Sequence, residues 1–198
     1  MLWLKNPSPD NALHTIQHDA LDEESIKILE EYVSKNELVA AETNQSDPDN
    51  VKPDDQAIRK TNIMWIENND QTAGLYWNIA NLINGANNGK FKCDINMIET
   101  LQYSEYEDGG HYQMHVDQGM ISAVPGEDIR KLSFSILLSD ENEFEGGELD
   151  ITAFSPEGGA MIKNDICIFP SMLPHRVNPV TKGKRRALVG WIKGPAWI

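Results

Sequence analysis

Residues 166–192 read ICIFPSMLPHRVNPVTKGKRRALVGWI. Three short runs rich in β-branched and aromatic residues, at 166–170, 175–180 and 185–193, are separated by Pro, Ser, Asn and Gly. Runs this short, bounded by turn formers, are strands rather than helices. Working outward, the same texture places strands at 94–106, 111–117, 131–139, 147–152 and 160–163. About eight short strands at this spacing make an antiparallel sandwich or jelly roll.

Upstream of residue 93 the pattern differs. Residues 22–36, DEESIKILEEYVSKN, form an amphipathic helix: Asp22 is the N-cap, acids fill the first turn, and Ile26, Leu29, Tyr32 and Val33 make one apolar stripe. Residues 71–84, QTAGLYWNIANLIN, form a second, which the GANNG stretch at 85–89 should end. Residues 58–66, IRKTNIMWI, read as one strand, and the polar, Pro-containing segment 43–56 as a loop that could serve as a lid. Helices first and strands later argue for a mainly β fold with N-terminal helices packed on one sheet. The division expected is a supporting region over 1–92, including the variable loop 43–56, within one globule with a β core over 93–198.

The 198 residues suffice for one sizeable domain, and 40% hydrophobic content supports a packed core. No apolar run approaches the ~20 residues of a membrane span, and the N-terminus lacks a signal-peptide layout, so a cytoplasmic location and no membrane partner are expected. The two cysteines, Cys93 and Cys167, are too few for a disulfide framework and read as buried free thiols. A net charge of −14 repels a phosphate backbone, which argues against nucleic acid and favours a neutral or cationic protein or peptide partner, with a small molecule as the alternative. Nothing in the sequence specifies an oligomeric state.

Of five histidines, two sit where chemistry is plausible. In HYQMHVD, His115 and Asp117 fall on one face of a strand while Val116 points away, so an imidazole and a carboxylate can take adjacent corners of a metal. His175 is the other histidine inside a later strand-like run. Two His and one carboxylate leave positions open on the metal, as iron(II) oxygenases require. In KRRALVGWIKG, alternation puts Arg185, Ala187, Val189 and Trp191 on one face and Arg186, Leu188 and Ile192 on the other. Either arginine could face inward and pair bidentately with a carboxylate. In strand 131–138, Leu132, Phe134, Ile136 and Leu138 form a packing face, while Ser133 and Ser135 leave space and hydroxyls on the other.

The segments YEDGGHYQMHVD (106–117), RKLSFSILLSDENEFEGGELDI (130–151) and GGAMIKNDICIFPSMLPHRVNPVTKGKRRALVGWI (158–192) together resemble the 2-oxoglutarate- and iron(II)-dependent dioxygenases. The likeness is greatest to the prolyl 4-hydroxylase-like group with its small bacterial and viral hydroxylases, and it spans about residues 101–194. It implies a double-stranded β-helix, with His115, Asp117 and His175 as iron(II) ligands. It also implies Arg185, ten residues after His175, as partner of the distal carboxylate of 2-oxoglutarate. Tyr106 matches a tyrosine that can hydrogen-bond the co-substrate, and Tyr112 an aromatic of the cavity wall. Some animal relatives place a tyrosine where Leu137 aligns, to contact the co-substrate; that contact is absent here or comes from elsewhere, with Tyr106 or Ser133 able to supply it. Gly146-Gly147 makes a tight connection, Pro170 and Pro174 shape the turn that delivers His175, and Arg130 and Arg176 are candidate substrate contacts.

The activity so implied is an oxidoreductase: a dioxygenase that hydroxylates an unactivated C–H bond at the expense of 2-oxoglutarate and O₂, with peptidyl-prolyl 4-hydroxylation the first candidate. A free amino acid or small metabolite is the alternative substrate. Other classes that this residue set allows are a non-catalytic jelly-roll binding or sensor protein, and a zinc-dependent isomerase or hydrolase.

Overall fold

The computed structural model describes residues 13–41, 55–118, 127–151 and 161–196. In chain order the elements are β1 (Thr15–Gln17), α1 (Glu23–Lys35), β2 (Val39–Ala40), α2 (Asp55–Ile58), β3 (Arg59–Lys60), β4 (Asn62–Ile66) and α3 (Ala73–Ala86). Then follow β5 (Met97–Ile98), β6 (Leu101–Tyr106), β7 (His111–His115), β8 (Ile129–Leu137), β9 (Phe144–Gly146) and β10 (Leu149–Ile151). The chain finishes with β11 (Ile166–Pro170), β12 (His175–Val177), β13 (Val180–Gly183) and β14 (Arg185–Gly194).

The strands pair antiparallel. The larger sheet runs β1-β11-β8-β14-β6-β4-β2, with β5 also on β14; the smaller runs β10-β12-β7-β3, and β9 pairs with β13. This is the jelly roll expected, with helices on one face of the larger sheet. Alternation explains how that sheet serves two purposes. Leu132, Phe134 and Ile136 of β8, Ile166 and Ile168 of β11, and Leu188 and Ile192 of β14 turn outward to meet Leu29 of α1 and Leu75, Ile79 and Ile83 of α3 in the main core. The opposite face looks toward the smaller sheet.

The helices hold to this face for legible reasons. Asp22 accepts a hydrogen bond from the Ser25 backbone N–H at 2.8 Å, and the expected stripe of α1 is packed against the core. Tyr76 of α3 donates its hydroxyl to the Ile66 carbonyl at 2.7 Å and accepts from the Leu101 N–H at 3.0 Å, tying the helix to the ends of β4 and β6. Burying a side chain such as Ile79, fully inaccessible here, contributes about 2 kcal/mol.

Several boundaries depart from the sequence expectation. The α3 helix ends at Ala86, inside the GANNG stretch, but passes directly into a π-helical turn, Asn87–Phe91, that closes on Lys92 at φ 57°. Asn87 is the reason, since its side chain accepts from the Cys93 N–H at 2.8 Å and donates to the Cys93 carbonyl at 2.9 Å, capping the longer coil. The strand expected over 58–66 is split: Ile58 closes α2, β3 pairs with β7 in the smaller sheet, and β4 pairs with β6 in the larger. Between them the Thr61 hydroxyl donates to the Glu105 carbonyl at 2.9 Å, which anchors the crossing point. The run 94–106 is likewise broken into β5 and β6, and 175–180 divides before β13. Residues 161–163 form no strand. Residues 42–54, most of the loop read as a lid, lie outside the described residues. Cys167 is buried and Cys93 half-buried, both unpaired; burial pushes the Cys167 thiol up to about 12. Among the described residues no helix is long and apolar enough to cross a membrane.

Candidate metal and co-substrate site

Strand pairing brings the site together. β12 and β7 are neighbours in the smaller sheet, and their register sets His175 directly opposite His115. Two residues on from His115, the chain leaves β7 and is held by the turn after β11: the Ser171 carbonyl accepts from the N–H groups of both Asp117 and Gln118 at 3.0 Å. That turn is in turn fixed by the Ser171 N–H on the Lys131 carbonyl, at 3.0 Å, and by the Leu173 N–H on the Pro170 carbonyl, at 2.9 Å. The result places one ligand atom each from His115, Asp117 and His175 within 4.8 Å of one another.

Both imidazoles are oriented by their backbones. Nδ1 of His115 faces the Gln113 carbonyl at 2.7 Å and Nδ1 of His175 faces the Leu173 carbonyl at 2.9 Å. With Nδ1 of each ring facing a carbonyl, Nε2 is the atom turned toward Asp117 and placed to ligate a metal. These Nε2 atoms lie 3.6 Å (His115) and 3.4 Å (His175) from the carboxylate of Asp117. Burial by itself would raise the Asp117 carboxyl, but the two imidazoles outweigh it and hold the group well below the usual carboxylate range. The Tyr112 ring stacks on His115 with centroids 3.6 Å apart, and Phe169 meets His175 edge-on at 4.7 Å. A charged oxygen ligand and two oriented nitrogen ligands on one side, with open space on the other, fit iron(II) with 2-oxoglutarate and O₂.

The open space is a cavity of about 600 Å³ between the two sheets. Arg185 forms part of its wall and is 2% exposed. It sits opposite Tyr106 across the β14–β6 pair, its guanidinium carbon 5.6 Å from that ring centroid. Burial pulls its pKa below the ordinary arginine value, an effect that Tyr106 and Glu148 partly offset. Among the described residues, no carboxylate lies within 4 Å of its nitrogens. A buried guanidinium without a partner is costly, and an anionic ligand removes that cost. Arg186, the alternative, points away, toward Glu105 and Glu143.

The other residues singled out in the sequence fall in different places. Tyr106 and Tyr112 line the cavity, as do Trp191 and Arg130. Arg130 is engaged by Glu99 at 2.5 Å and lies 4.1 Å over the Trp191 ring. Ser133 is fully buried, with its hydroxyl 2.9 Å from that of Ser171, and it helps to lower the Asp117 carboxyl; Ser135 is the serine on the cavity wall. Leu137 is buried beside Ala187 on β14. Arg176 pairs with Asp150 at 2.8 Å on the exposed side of its strand. Sequence reasoning passed over Arg59, Trp65 and Gln102, all of which line the cavity. Gln102 shares a strand face with Tyr106, and that alternation could have found it. Arg59 carried no such signal, because its strand turned out to belong to the other sheet.

Comparison with known proteins agrees with this geometry. Residues 101–193 match the model of the 2OG-Fe(II) oxygenase superfamily. A PKHD-type hydroxylase of Idiomarina loihiensis is 40% identical over 97 residues, covering 48% of this chain and 43% of the relative. One of Synechococcus elongatus is 35% identical over 102 residues, covering 51% and 45%. These matches span less than half the length of the curated relatives. Among solved structures, a Pseudomonas putida prolyl-4-hydroxylase superposes with a TM-score of 0.66 at 20% identity, covering 93% of this chain and 94% of that one. A viral collagen prolyl hydroxylase from Paramecium bursaria Chlorella virus-1 superposes with a TM-score of 0.63 at 18% identity, over 93% and 98%. The matched segment begins with β6 and ends within β14, so it contains both strands that carry the histidines and the strand that carries the buried arginine. On sequence and geometry alike, residues 101–193 resemble the 2OG-Fe(II) oxygenase superfamily, and the fold is similar to that of the solved prolyl hydroxylases.

Proposed function

We propose that this protein is a 2-oxoglutarate-dependent dioxygenase that hydroxylates an unactivated C–H bond, with a prolyl residue of a peptide as the first candidate substrate. The observation that carries the reading is the pairing, in one cavity, of the His115–Asp117–His175 set with the buried, unpartnered Arg185.

In this reading His115, Asp117 and His175 hold iron(II), and Arg185 holds the distal carboxylate of the keto acid. When bound, iron(II) supplies the oxidising chemistry: O₂ and 2-oxoglutarate are converted to succinate and CO₂ while the substrate C–H becomes C–OH. The chain contributes placement. The two carbonyls behind the histidines fix their ring orientation, and the bidentate fork of Arg185 fixes the direction of the co-substrate. Tyr106, across from Arg185, has its hydroxyl available as a further donor to that carboxylate. Phe169, Val177 and Val189 give the cavity apolar walls, which keep water from the reacting centre.

The choice of a peptide substrate leans on the relatives. Solved structures that share the fold include a Trichoplax adhaerens prolyl hydroxylase in complex with a peptide fragment, at a TM-score of 0.61 and 17% identity. Trp65 and Val39 line the cavity and are strongly exposed, so it opens to solvent on that side.

The test is anaerobic titration of metal-free protein with iron(II) and 2-oxoglutarate, followed by visible absorption. A keto acid chelating iron(II) gives a weak charge-transfer band. The band should appear in the wild type and vanish in His175→Ala and Asp117→Ala. Iron binding without the band would refute the role given to Arg185 and move the zinc and non-catalytic readings ahead.

A further inference from the structure

Arg59 stands apart from every other cation of the cavity. It lies on β3, at the edge of the smaller sheet, opposite Tyr112 on β7. Its guanidinium carbon is 4.7 Å over the Tyr112 ring, and that ring is stacked at 3.6 Å on His115. Guanidinium, phenol and imidazole thus form a column ending on a residue of the candidate metal site.

The polar bookkeeping of this column is incomplete. Nε of Arg59 is buried and has no hydrogen-bond partner. Among the described residues no carboxylate lies within 4 Å of the guanidinium. The other two arginines of the wall are accounted for: Arg130 by Glu99, and Arg185 by the co-substrate in the reading above. The one described carboxylate that lines the cavity, Asp117, is engaged by the two histidines. Stacking on Tyr112 holds the guanidinium of Arg59 but supplies no acceptor. A neutral carbonyl would satisfy one N–H and leave the charge uncompensated. A carboxylate would satisfy both.

We infer that Arg59 is a substrate-binding residue that selects a substrate bearing a carboxylate close to the carbon that is hydroxylated. The inference rests on the proposed reaction and names its substrate class. The net charge of −14 does not oppose it, because exposed charges are screened beyond about 10 Å in ordinary salt whereas this contact is made inside the cavity. Position separates the two anion sites: Arg185 reaches the cavity from the larger sheet and Arg59 from the edge of the smaller one, so co-substrate and substrate carboxylates need not compete.

The test uses the full chain loaded with manganese(II), which is inert to the reaction, and saturated with 2-oxoglutarate. Two probe peptides, acetyl-Glu-Pro-Ala-amide and acetyl-Ala-Pro-Glu-amide, are each titrated by calorimetry against the glutamine counterpart. In the wild type at least one glutamate peptide should bind about tenfold more tightly than its glutamine twin. Arg59→Gln should abolish that preference and Arg59→Lys should reduce it, with 2-oxoglutarate affinity unchanged in both. Equal affinity within both pairs, undetectable binding included, overturns the inference, and so does a preference that survives in Arg59→Gln. Failure of 2-oxoglutarate to bind the wild type is a different result: it removes the proposed reaction and this inference with it.

Discussion

A β-carbon on Gly147 would lie 2.9 Å from Cδ of Arg185. The buried arginine can pass this point of the wall because the residue there has no side chain. Gly147 also has φ +70°, a conformation that L side chains rarely adopt. Gly147→Ala should therefore do two things at once. It should cost about 1–3 kcal/mol of stability through backbone strain. It should also weaken 2-oxoglutarate binding about tenfold or more by displacing the guanidinium. Calorimetric titration of the keto acid beside a urea melt separates the two, and unchanged affinity would show that Arg185 is free to move.

Asp117 supplies the one negative charge between two imidazoles. Asp117→Asn keeps the shape of the side chain and removes the charge. Divalent-metal affinity should fall at least tenfold, as read by calorimetry with manganese(II), while the fold persists in circular dichroism. Retained affinity would mean that the metal is held elsewhere.

Ile79 is wholly buried where α3 meets the larger sheet, far along the chain from any proposed ligand. Ile79→Ala should destabilise the protein by about 2–5 kcal/mol, the usual cost of such a truncation. Urea unfolding measures this. A loss below about 1 kcal/mol would indicate that α3 contributes little to holding the sheet.

His18 and Asp165 make a pH-dependent tie between the start of the chain and the entry to β11. Nδ1 of His18 is 2.7 Å from Asp165 Oδ1, and the hydrogen bond first, then the charge of Asp165, raises the imidazole's pKa. The folded state thus holds this proton more tightly than the unfolded chain. The stability from the pair is full below the ordinary histidine value of about 6.5 and is lost as pH rises through the raised folded value. The wild type should lose more of its urea midpoint than His18→Gln does between about pH 5.5 and pH 8.5. Parallel pH profiles for the two proteins would contradict this.

Much of the architecture was written locally. The α1 helix follows from its Asp22 cap and four-residue stripe, and β11 and β14 from β-branched runs bounded by Pro and Gly, because capping, periodicity and turn chemistry act within a few residues. The alternation of β8 told its packing face from its cavity face for the same reason. His115 and Asp117 were legible as a pair because two residues on one strand necessarily share a face. The sequence could not decide what depends on pairing between distant strands. Whether Arg185 or Arg186 turns inward is a question of register between β14, β6 and β8, and a shift of one residue would exchange them. The π-helical turn after α3 was not legible because the group that closes it, the Asn87 side chain, acts on a backbone six residues onward. Arg59 stayed hidden for the deepest reason. It reaches the cavity because the chain changes sheets at Thr61, and only the assembled pair of sheets determines which residues stand on either side of that crossing.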